Sequence, residues 1–159
     1  MRHSKRLCAA VLVLVSLLIG AAVFPNNVDA AAVSAGEAVL DCESGRVLYE
    51  HNADKQMPMA STTKILTAII ILEDCDLDAV VTVLPQAAGT EGSSIYLIAG
   101  EKITVRDLLY GLMLRSGNDC AVTLALYHSG TVEAFAACMN ARAQTMGAVN
   151  SSFVNPHGL

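Results

Sequence analysis

The sequence predicts a protein of the α+β class, and three observations lead to that prediction. Two short segments that alternate apolar and polar residues flank a turn near residue 43. A segment from Ile65 to Leu72 is continuously apolar at helical length. Three further helical segments, punctuated by capping residues and glycines, occupy residues 104–147.

The first thirty residues read as an export signal rather than as part of the fold. Three basic residues precede an almost continuous apolar run from Leu7 to Phe24, and small residues at 28–30 suit a signal peptidase. An apolar run of about 17 to 25 residues can also span a bilayer, so an uncleaved anchor is the competing interpretation. Because Pro25 and the two asparagines after it break the helix, we favour cleavage after Ala30, leaving one domain over residues 31–159.

The charge of that remaining segment is acidic. Residues 31–159 carry seven basic and fourteen acidic side chains, a net charge of −7. A nucleic-acid partner would require a basic patch, and no cluster of lysine or arginine occurs outside the signal. We therefore expect no nucleic-acid partner, and membrane contact only through the signal or anchor segment.

The first elements of the domain are a hairpin and a helix. Residues 37–41 and 46–50 alternate apolar and polar side chains around the turn 42–45, which predicts two antiparallel strands. Pro58 suits the entry to a helix but not its interior, so the next helix should begin near Ala60 and hold Ser61 in its first turn. Since Ile65 to Leu72 is apolar on every side, we expect this helix to be buried all round.

A second group of short strands is expected before the remaining helices. Residues 80–84 form a β-branched segment ended by Pro85. Residues 89–94 are typical of a loop, and residues 94–97 could pair with 102–104 across Ala99 and Gly100.

The remaining helices have recognisable ends. Thr104 and Asp107 fit a capping box that opens a helix from about Val105 to Leu114. A second helix should run from about Asp119 to Tyr127 with Asn118 as its cap. A third runs from residue 131 to 146 and closes on a glycine, and the chain then ends in a loop.

The cysteines and histidines do not have the spacing of a metal site. Four cysteines follow the signal, namely Cys42, Cys75, Cys120 and Cys138, and three histidines, His51, His128 and His157. No C-x-x-C or H-E-x-x-H pattern occurs, so we expect no metal and no cofactor. Disulfides are permitted in an exported protein, but four buried, unpaired thiols are the favoured interpretation.

Ser61 and Lys64 form the first candidate site. Residues three apart share a helix face, so the Lys64 amine can reach the Ser61 hydroxyl, as a base reaches a nucleophile. Taken alone, Ser61 could equally be a helix cap and Lys64 a solvated lysine. A lysine in the first turn is disfavoured by the helix dipole, however, and the dipole together with any burial would lower its pKa.

Ser116 and Asn118 form the second candidate site. They flank Gly117 in a tight loop between two helices, where both side chains can point the same way. A second hydroxyl can relay a proton to a leaving amine, and an amide can hold a substrate peptide.

Together, in this order, these motifs resemble the penicillin-recognising serine enzymes with S-x-x-K and S-x-N motifs. Within that group the chain resembles the secreted serine-type D-alanyl-D-alanine carboxypeptidases, the low-molecular-weight penicillin-binding class. The resemblance rests on residues 58–64, on Ser116-Gly117-Asn118, on the early hairpin and on the closing Asn-Pro-His-Gly-Leu of residues 155–159. It covers about residues 37–159.

The resemblance implies a β-lactamase/transpeptidase-like domain, with a helical cluster against an antiparallel sheet that is incomplete at the C-terminal side. It implies that Ser61 attacks a peptidoglycan stem peptide ending in D-Ala-D-Ala and forms an acyl-enzyme that water hydrolyses. Lys64 would be the base, Ser116 the proton relay, Asn118 the substrate-binding residue, and the Ser61 N–H half of an oxyanion hole. β-Lactams would be covalent inhibitors. The protein would be exported and would act at the extracytoplasmic face of the bacterial membrane or in the cell wall.

The third motif of the family, K-T-G, does not occur in these 159 residues. The segment His128-Ser129-Gly130 resembles this motif in sequence alone, and we interpret it as a helix terminator. We expect the hairpin to have an exposed edge where further strands would pair. We expect residues 31–159 alone to be marginally folded and weakly active or inactive.

Two alternatives remain open from the sequence. A class A β-lactamase shares the first two motifs, although the E-x-x-L-N pattern used for deacylation is absent after Asn118. An inactive exported fragment that binds cell-wall peptides, or nothing, is the other.

Overall fold

The computed structural model describes residues 34–159, so the predicted signal and its cleavage position lie outside the described residues. The chain divides after Ala53 into two compact units. Within the described residues no helix has the length and apolar character needed to cross a membrane.

The first unit contains the predicted hairpin. Strands β1 (Glu37–Leu40) and β2 (Val47–His51) pair antiparallel, with Glu37 opposite His51 and a bulge between Val39 and Leu40. Among the described residues these strands pair only with each other, and every residue of β2 is exposed. The hairpin therefore has unpaired edges of the kind that can add a further strand.

The second unit begins with the helix that carries the first motif. A single 3₁₀ turn, Ala60–Thr62, leads into α1 (Thr63–Asp74). The prediction that this helix is buried all round is wrong. Its inner face, including Ile70 and Ile71, is buried, whereas Ile65 is 52% and Leu72 55% exposed. A run of apolar residues does not by itself reveal which face a helix buries, since the neighbouring elements decide that.

A second two-stranded sheet follows, and its pairing differs from the prediction. Strand β3 (Val80–Thr82) pairs antiparallel with β4 (Lys102–Thr104), with Val81 opposite Ile103. Residues 94–97 form no strand. Their backbone N–H groups at Ile95 and Leu97 donate instead to a buried carboxylate, which removes them from strand pairing.

Three more helices complete the unit: α2 (Val105–Arg115), α3 (Asn118–Ser129) and α4 (Val132–Thr145). Thr104 caps α2 as predicted, because its hydroxyl accepts a hydrogen bond from the Asp107 N–H at 3.0 Å. Thr131 caps α4 in the same way. Gly130 ends α3 in the left-handed conformation, as expected for a helix terminator.

The core of this unit lies among the four helices. Helix α1 contacts the other three, and α3 contacts both α2 and α4. The largest fully buried apolar side chains come from all four helices and include Phe135, Ile70, Ile71, Leu108, Leu112, Leu124 and Met139. Both ends of the second candidate motif, on α2 and α3, are therefore held against the helix that carries the first.

The expectation of four buried thiols is only partly correct. All four described cysteines are unpaired, but Cys42 is exposed and Cys75 and Cys138 are half-buried. Only Cys120 is fully buried, and burial raises the pKa of its thiol to about 12. It behaves as a small apolar side chain in the core.

Candidate active site

Three predicted residues meet in one hydrogen-bonded triangle. The Lys64 amine lies 3.1 Å from the Ser61 hydroxyl and 3.3 Å from the Ser116 hydroxyl. The third side joins the two hydroxyls, with Ser116 Oγ donating to Ser61 Oγ at 3.1 Å. One amine is thus within proton-transfer reach of two hydroxyl groups.

The turn that holds Ser61 is not the regular helix expected from the sequence. Ser61 lies in the 3₁₀ turn, and Ala60 before it has a positive φ of 46°. A positive φ is unfavourable for alanine and needs support from its surroundings. Gly158 supplies a close contact, because a Cβ at that position would overlap the Ala60 carbonyl oxygen.

Ser116 occupies the position where α2 ends. It has a left-handed backbone, with φ 56°, and the next N–H, of Gly117, bonds back to the Gly111 carbonyl. Non-glycine residues in this conformation are uncommon and cluster at functional sites. The reversal of the chain here turns the Ser116 hydroxyl toward Lys64.

Lys64 is buried as well as hydrogen-bonded. Its residue is 2% exposed, and none of the three ion pairs found in residues 34–159 involves it. Burial lowers the pKa of the Lys64 amine below its usual value of 10.5, because the charged form loses water. A neutral amine beside a hydroxyl can accept its proton.

A third partner of Lys64 was not foreseen from the sequence. The His157 carbonyl accepts a hydrogen bond from the amine at 3.3 Å, and the Pro156 carbonyl accepts one from Thr67 at 2.7 Å. Burial, and then the Lys64 charge, lower the pKa of the His157 ring. The Asn-Pro-His-Gly segment was the available signal in the sequence. Contacts made by its backbone carbonyls cannot be predicted from the identity of its side chains.

Asn118 lies beside the triangle but makes none of its three hydrogen bonds. It is the first residue of α3 rather than its cap, which is Gly117, so the predicted capping role is wrong. Its side-chain amide donates to the Glu91 carbonyl at 2.6 Å, and its backbone N–H donates to the Ser93 carbonyl at 2.6 Å. The residue is 4% exposed, and a tertiary contact with the 91–93 loop replaces the cap.

Asp119 is the functional-site neighbour that sequence reasoning missed. Its fully buried carboxylate accepts hydrogen bonds from Ser94 Oγ and from the N–H groups of Ile95, Leu97 and Cys120. Burial acts to raise the pKa of Asp119, but these donors outweigh it and the pKa is lowered. The carboxylate thereby fixes residues 94–97, and with them the loop that holds Asn118.

The arrangement has the parts needed for nucleophilic acyl transfer. It combines two hydroxyl groups with a buried amine whose pKa is lowered. Each pair of these groups is hydrogen-bonded, so a proton can pass from one group to another. The mutual distances of about 3 Å are those expected of a nucleophile and its base.

Comparison with known proteins agrees with an acyl-transfer site. The family model described as D-alanyl-D-alanine carboxypeptidase matches residues 24–159. The chain is 38% identical over 126 residues to the D-alanyl-D-alanine carboxypeptidase DacF of Bacillus subtilis, covering 76% of this chain and 32% of the relative.

Solved structures agree with the sequence match. The D-alanyl-D-alanine carboxypeptidase DacD from Francisella tularensis superposes with a TM-score of 0.75 at 36% identity, over 78% of this chain and 31% of that one. Penicillin binding protein 5 from Haemophilus influenzae gives 0.73 at 32% identity, over 78% and 38%. The fold is thus the α+β, transpeptidase-like fold expected from the resemblance, and the chain spans about a third of the length of these proteins. With a family model matched from residue 24 to residue 159, this chain belongs to the D-alanyl-D-alanine carboxypeptidase family.

Proposed function

We propose that this chain carries the nucleophile of a serine-type D-Ala-D-Ala carboxypeptidase, with Ser61 forming the acyl-enzyme. The observation that carries the proposal is the triangle of Ser61, Lys64 and Ser116, with sides of 3.1, 3.3 and 3.1 Å. Membership of the family supports it independently.

In the proposed reaction, neutral Lys64 takes the Ser61 proton as the oxygen attacks the carbonyl of the penultimate D-alanine. The proton then passes through the Ser116 hydroxyl to the nitrogen of the terminal D-alanine, which leaves as an amine. Water enters, the same groups act in reverse order, and the acyl-enzyme is hydrolysed.

Asn118 and the Ser61 backbone are assigned supporting roles. The Asn118 side-chain amide donates a hydrogen bond to the 91–93 loop. In the proposed complex the substrate's peptide group either shares this amide with the loop or replaces the loop as its partner. The Ser61 N–H is proposed as one donor of the oxyanion hole, and loss of such a donor elsewhere lowers the rate by about 10²–10³-fold.

The proposed substrate is a peptidoglycan stem peptide that ends in D-Ala-D-Ala, and β-lactams are the proposed covalent inhibitors. The name of the matched penicillin binding protein supports the second assignment. We further propose that residues 1–30 direct export or anchoring, that residues 31–159 are part of the catalytic domain, and that the enzyme works outside the bacterial membrane. The basic start and apolar run of the sequence support this placement.

The test is covalent labelling of the purified protein with a fluorescent penicillin, followed by mass spectrometry of the labelled peptide. We expect a slow reaction that places at most one adduct on each chain, on Ser61, and no adduct on the Ser61→Ala variant. Ser44→Ala is the matched control, because it removes an exposed hydroxyl from the hairpin turn and should label normally. Labelling that persists in Ser61→Ala would refute the assignment of the nucleophile.

A second assay separates the enzyme classes. A stable penicillin adduct together with D-alanine release from an acetylated D-Ala-D-Ala tripeptide supports the carboxypeptidase. Rapid hydrolysis of penicillin without D-alanine release would support a β-lactamase instead.

A further inference from the structure

Three potential metal ligands from three helices meet at the end of the helical unit opposite the start of α1. They are the Asp74 carboxylate at the last residue of α1, the His128 ring in the last turn of α3 and the Cys138 thiol in α4. One ligand atom of each lies within 4.8 Å of the others. We propose that Asp74, His128 and Cys138 bind a single zinc-like transition-metal ion.

The orientation of His128 favours a ligand role. Its Nδ1 lies 2.7 Å from the Ser129 hydroxyl, whose oxygen can accept a hydrogen bond from Nδ1–H. In that tautomer the Nε2 lone pair is free, and Nε2 lies 3.0 Å from Asp74 Oδ2. Metal-binding histidines usually donate their other ring N–H to a neighbouring acceptor in this way.

Packing also limits the movement of the ring. The ring of Phe135 meets that of His128 edge to face, with centroids 5.3 Å apart and an angle of 83° between planes. The His128 side chain is 16% exposed, whereas the Asp74 side chain is 53% exposed. A metal ion could therefore enter from the Asp74 side and meet an imidazole that is already oriented.

The donor set selects the class of metal. One oxygen, one nitrogen and one sulfur ligand suit zinc and similar ions, while calcium and magnesium prefer oxygen ligands alone. Three protein ligands leave a fourth tetrahedral position for water.

The position in the fold indicates a structural role. Lys64 and Asp74 are ten residues apart on α1, so the proposed site is about 15 Å along the helix from the catalytic amine. A metal there would join the ends of α1 and α3 to the middle of α4. It does not depend on the proposed function, and either can fail without the other.

Cobalt(II) is the probe of choice, because cobalt bound by a thiolate has a near-ultraviolet charge-transfer band. We would titrate the full chain, reduced and freed of metal in mild detergent, with cobalt and then displace it with zinc. We expect one ion per chain, a thiolate band, and a thermal midpoint that rises when zinc is added.

The variants assign the ligands. Cys138→Ser should abolish the thiolate band and weaken zinc binding more than tenfold, and His128→Asn should weaken it similarly. Cys75→Ser is the matched control, since Cys75 is a half-buried thiol next to Asp74 and lies outside the cluster. Circular dichroism of each metal-free variant checks that it is folded.

The competing explanation is a simple ion pair of His128 and Asp74 that does not involve Cys138. It predicts no saturable thiolate band in the parent chain, or zinc binding that Cys138→Ser leaves unchanged. Either result would overturn the proposal, as would loss of the band in Cys75→Ser. Penicillin labelling of Cys138→Ser should stay normal, which separates this site from the one at Ser61.

Discussion

The burial of Lys64 is the feature that suits it to the role of base proposed for it. A lysine exposed to water is almost fully protonated at neutral pH, and a protonated amine cannot accept the Ser61 proton. Here the residue is 2% exposed, and burial lowers the pKa of its amine. The spacing to Ser61 was readable from the sequence, but the burial that changes the amine was not.

The first prediction concerns the pH dependence of acylation. Because only the neutral amine acts as a base, the rate of penicillin labelling should rise with pH as Lys64 loses its proton. Burial lowers its pKa, so the rise should occur below pH 10.5. Labelling reactions quenched at set times across the pH range measure this rise. A rate that stays constant up to pH 10.5 would contradict the assignment of Lys64 as the base.

Replacing Lys64 tests the same role by mutation. Lys64→Arg keeps a positive charge that cannot be removed, so the labelling rate should fall by about 10²–10⁴-fold. Lys102→Arg, at an exposed position on β4, should label at the parent rate. Equal losses in the two variants would point to a general effect of the substitution.

The second prediction concerns Asp119, whose carboxylate accepts hydrogen bonds from one side chain and three backbone N–H groups. Asp119→Asn removes the charge and one set of acceptor lone pairs, so the free energy of unfolding should fall by about 2 kcal/mol. Labelling should slow as well, because the loop that holds Asn118 is loosened. Urea unfolding and labelling kinetics measure the two effects.

The sign of the pH effect follows from the lowered pKa of Asp119. The stabilisation is fully present above the ordinary carboxyl pKa of 3.8 and is lost as pH falls through the lower folded value. The difference between parent and variant should therefore shrink in strong acid. Asp78→Asn, which changes an exposed carboxylate paired with Arg106, should shift stability far less than Asp119→Asn does.

At the scale of elements, the local signals other than the Asn118 cap were reliable, whereas the predicted strand pairing was not. The cap at Thr104 forms as predicted, and Thr131 caps α4 in the structure, because each cap depends on atoms within three residues. The partner of β4 was predicted wrongly, since β3 lies about twenty residues away and competes with a nearer segment. Asp119 decides that competition by binding the nearer segment's N–H groups.

The third prediction tests the contact between the 155–159 loop and the turn of Ser61. Gly158 has φ 80°, and a Cβ there would overlap the Ala60 carbonyl oxygen, which is backbone and cannot swing away. Gly158→Ala should therefore shift the turn and slow penicillin labelling by tenfold or more.

Gly147→Ala is the matched control for that experiment. Gly147 has a similar φ of 87°, but a Cβ there would meet nothing within 4 Å. It should cost about 1–2 kcal/mol of stability for the left-handed backbone and leave labelling unchanged. If both variants slow labelling equally, backbone strain rather than contact with the turn is responsible.

At the scale of the helical unit, stability comes from the core among α1–α4 rather than from surface charge pairs. Leu124 on α3 is fully buried among the helices. The Glu73–Arg142 pair also links α1 to α4, with two hydrogen bonds of 2.7 and 2.9 Å, but both side chains are more than a third exposed. Water screens such a pair and reduces its contribution to the stability of the fold.

The fourth prediction compares these two contributions. Leu124→Ala should lower the free energy of unfolding by about 2–5 kcal/mol, because it removes buried methyl groups and leaves a cavity. Arg142→Gln should lower it far less, because water screens the exposed pair. Urea unfolding of both variants measures the difference, and a larger loss in Arg142→Gln would show that the charge pair dominates.

The sequence by itself determined whatever depends on neighbours along the chain. It specified the hairpin, the cap at Thr104, the terminator at Gly130 and the i to i+3 spacing of Ser61 and Lys64, because backbone geometry and short-range hydrogen bonds set these features. The motifs it carries were also sufficient to indicate the family.

Only the tertiary structure decided what depends on residues far apart in the chain. Ser116 reaches Lys64 across 52 residues, the His157 carbonyl across 93, and Asp74, His128 and Cys138 converge from three helices. The same packing decides that Ile65 and Leu72 are exposed while Lys64 is buried. These outcomes depend on which surfaces the helices bury against one another, and an apolar pattern along one helix does not contain that information.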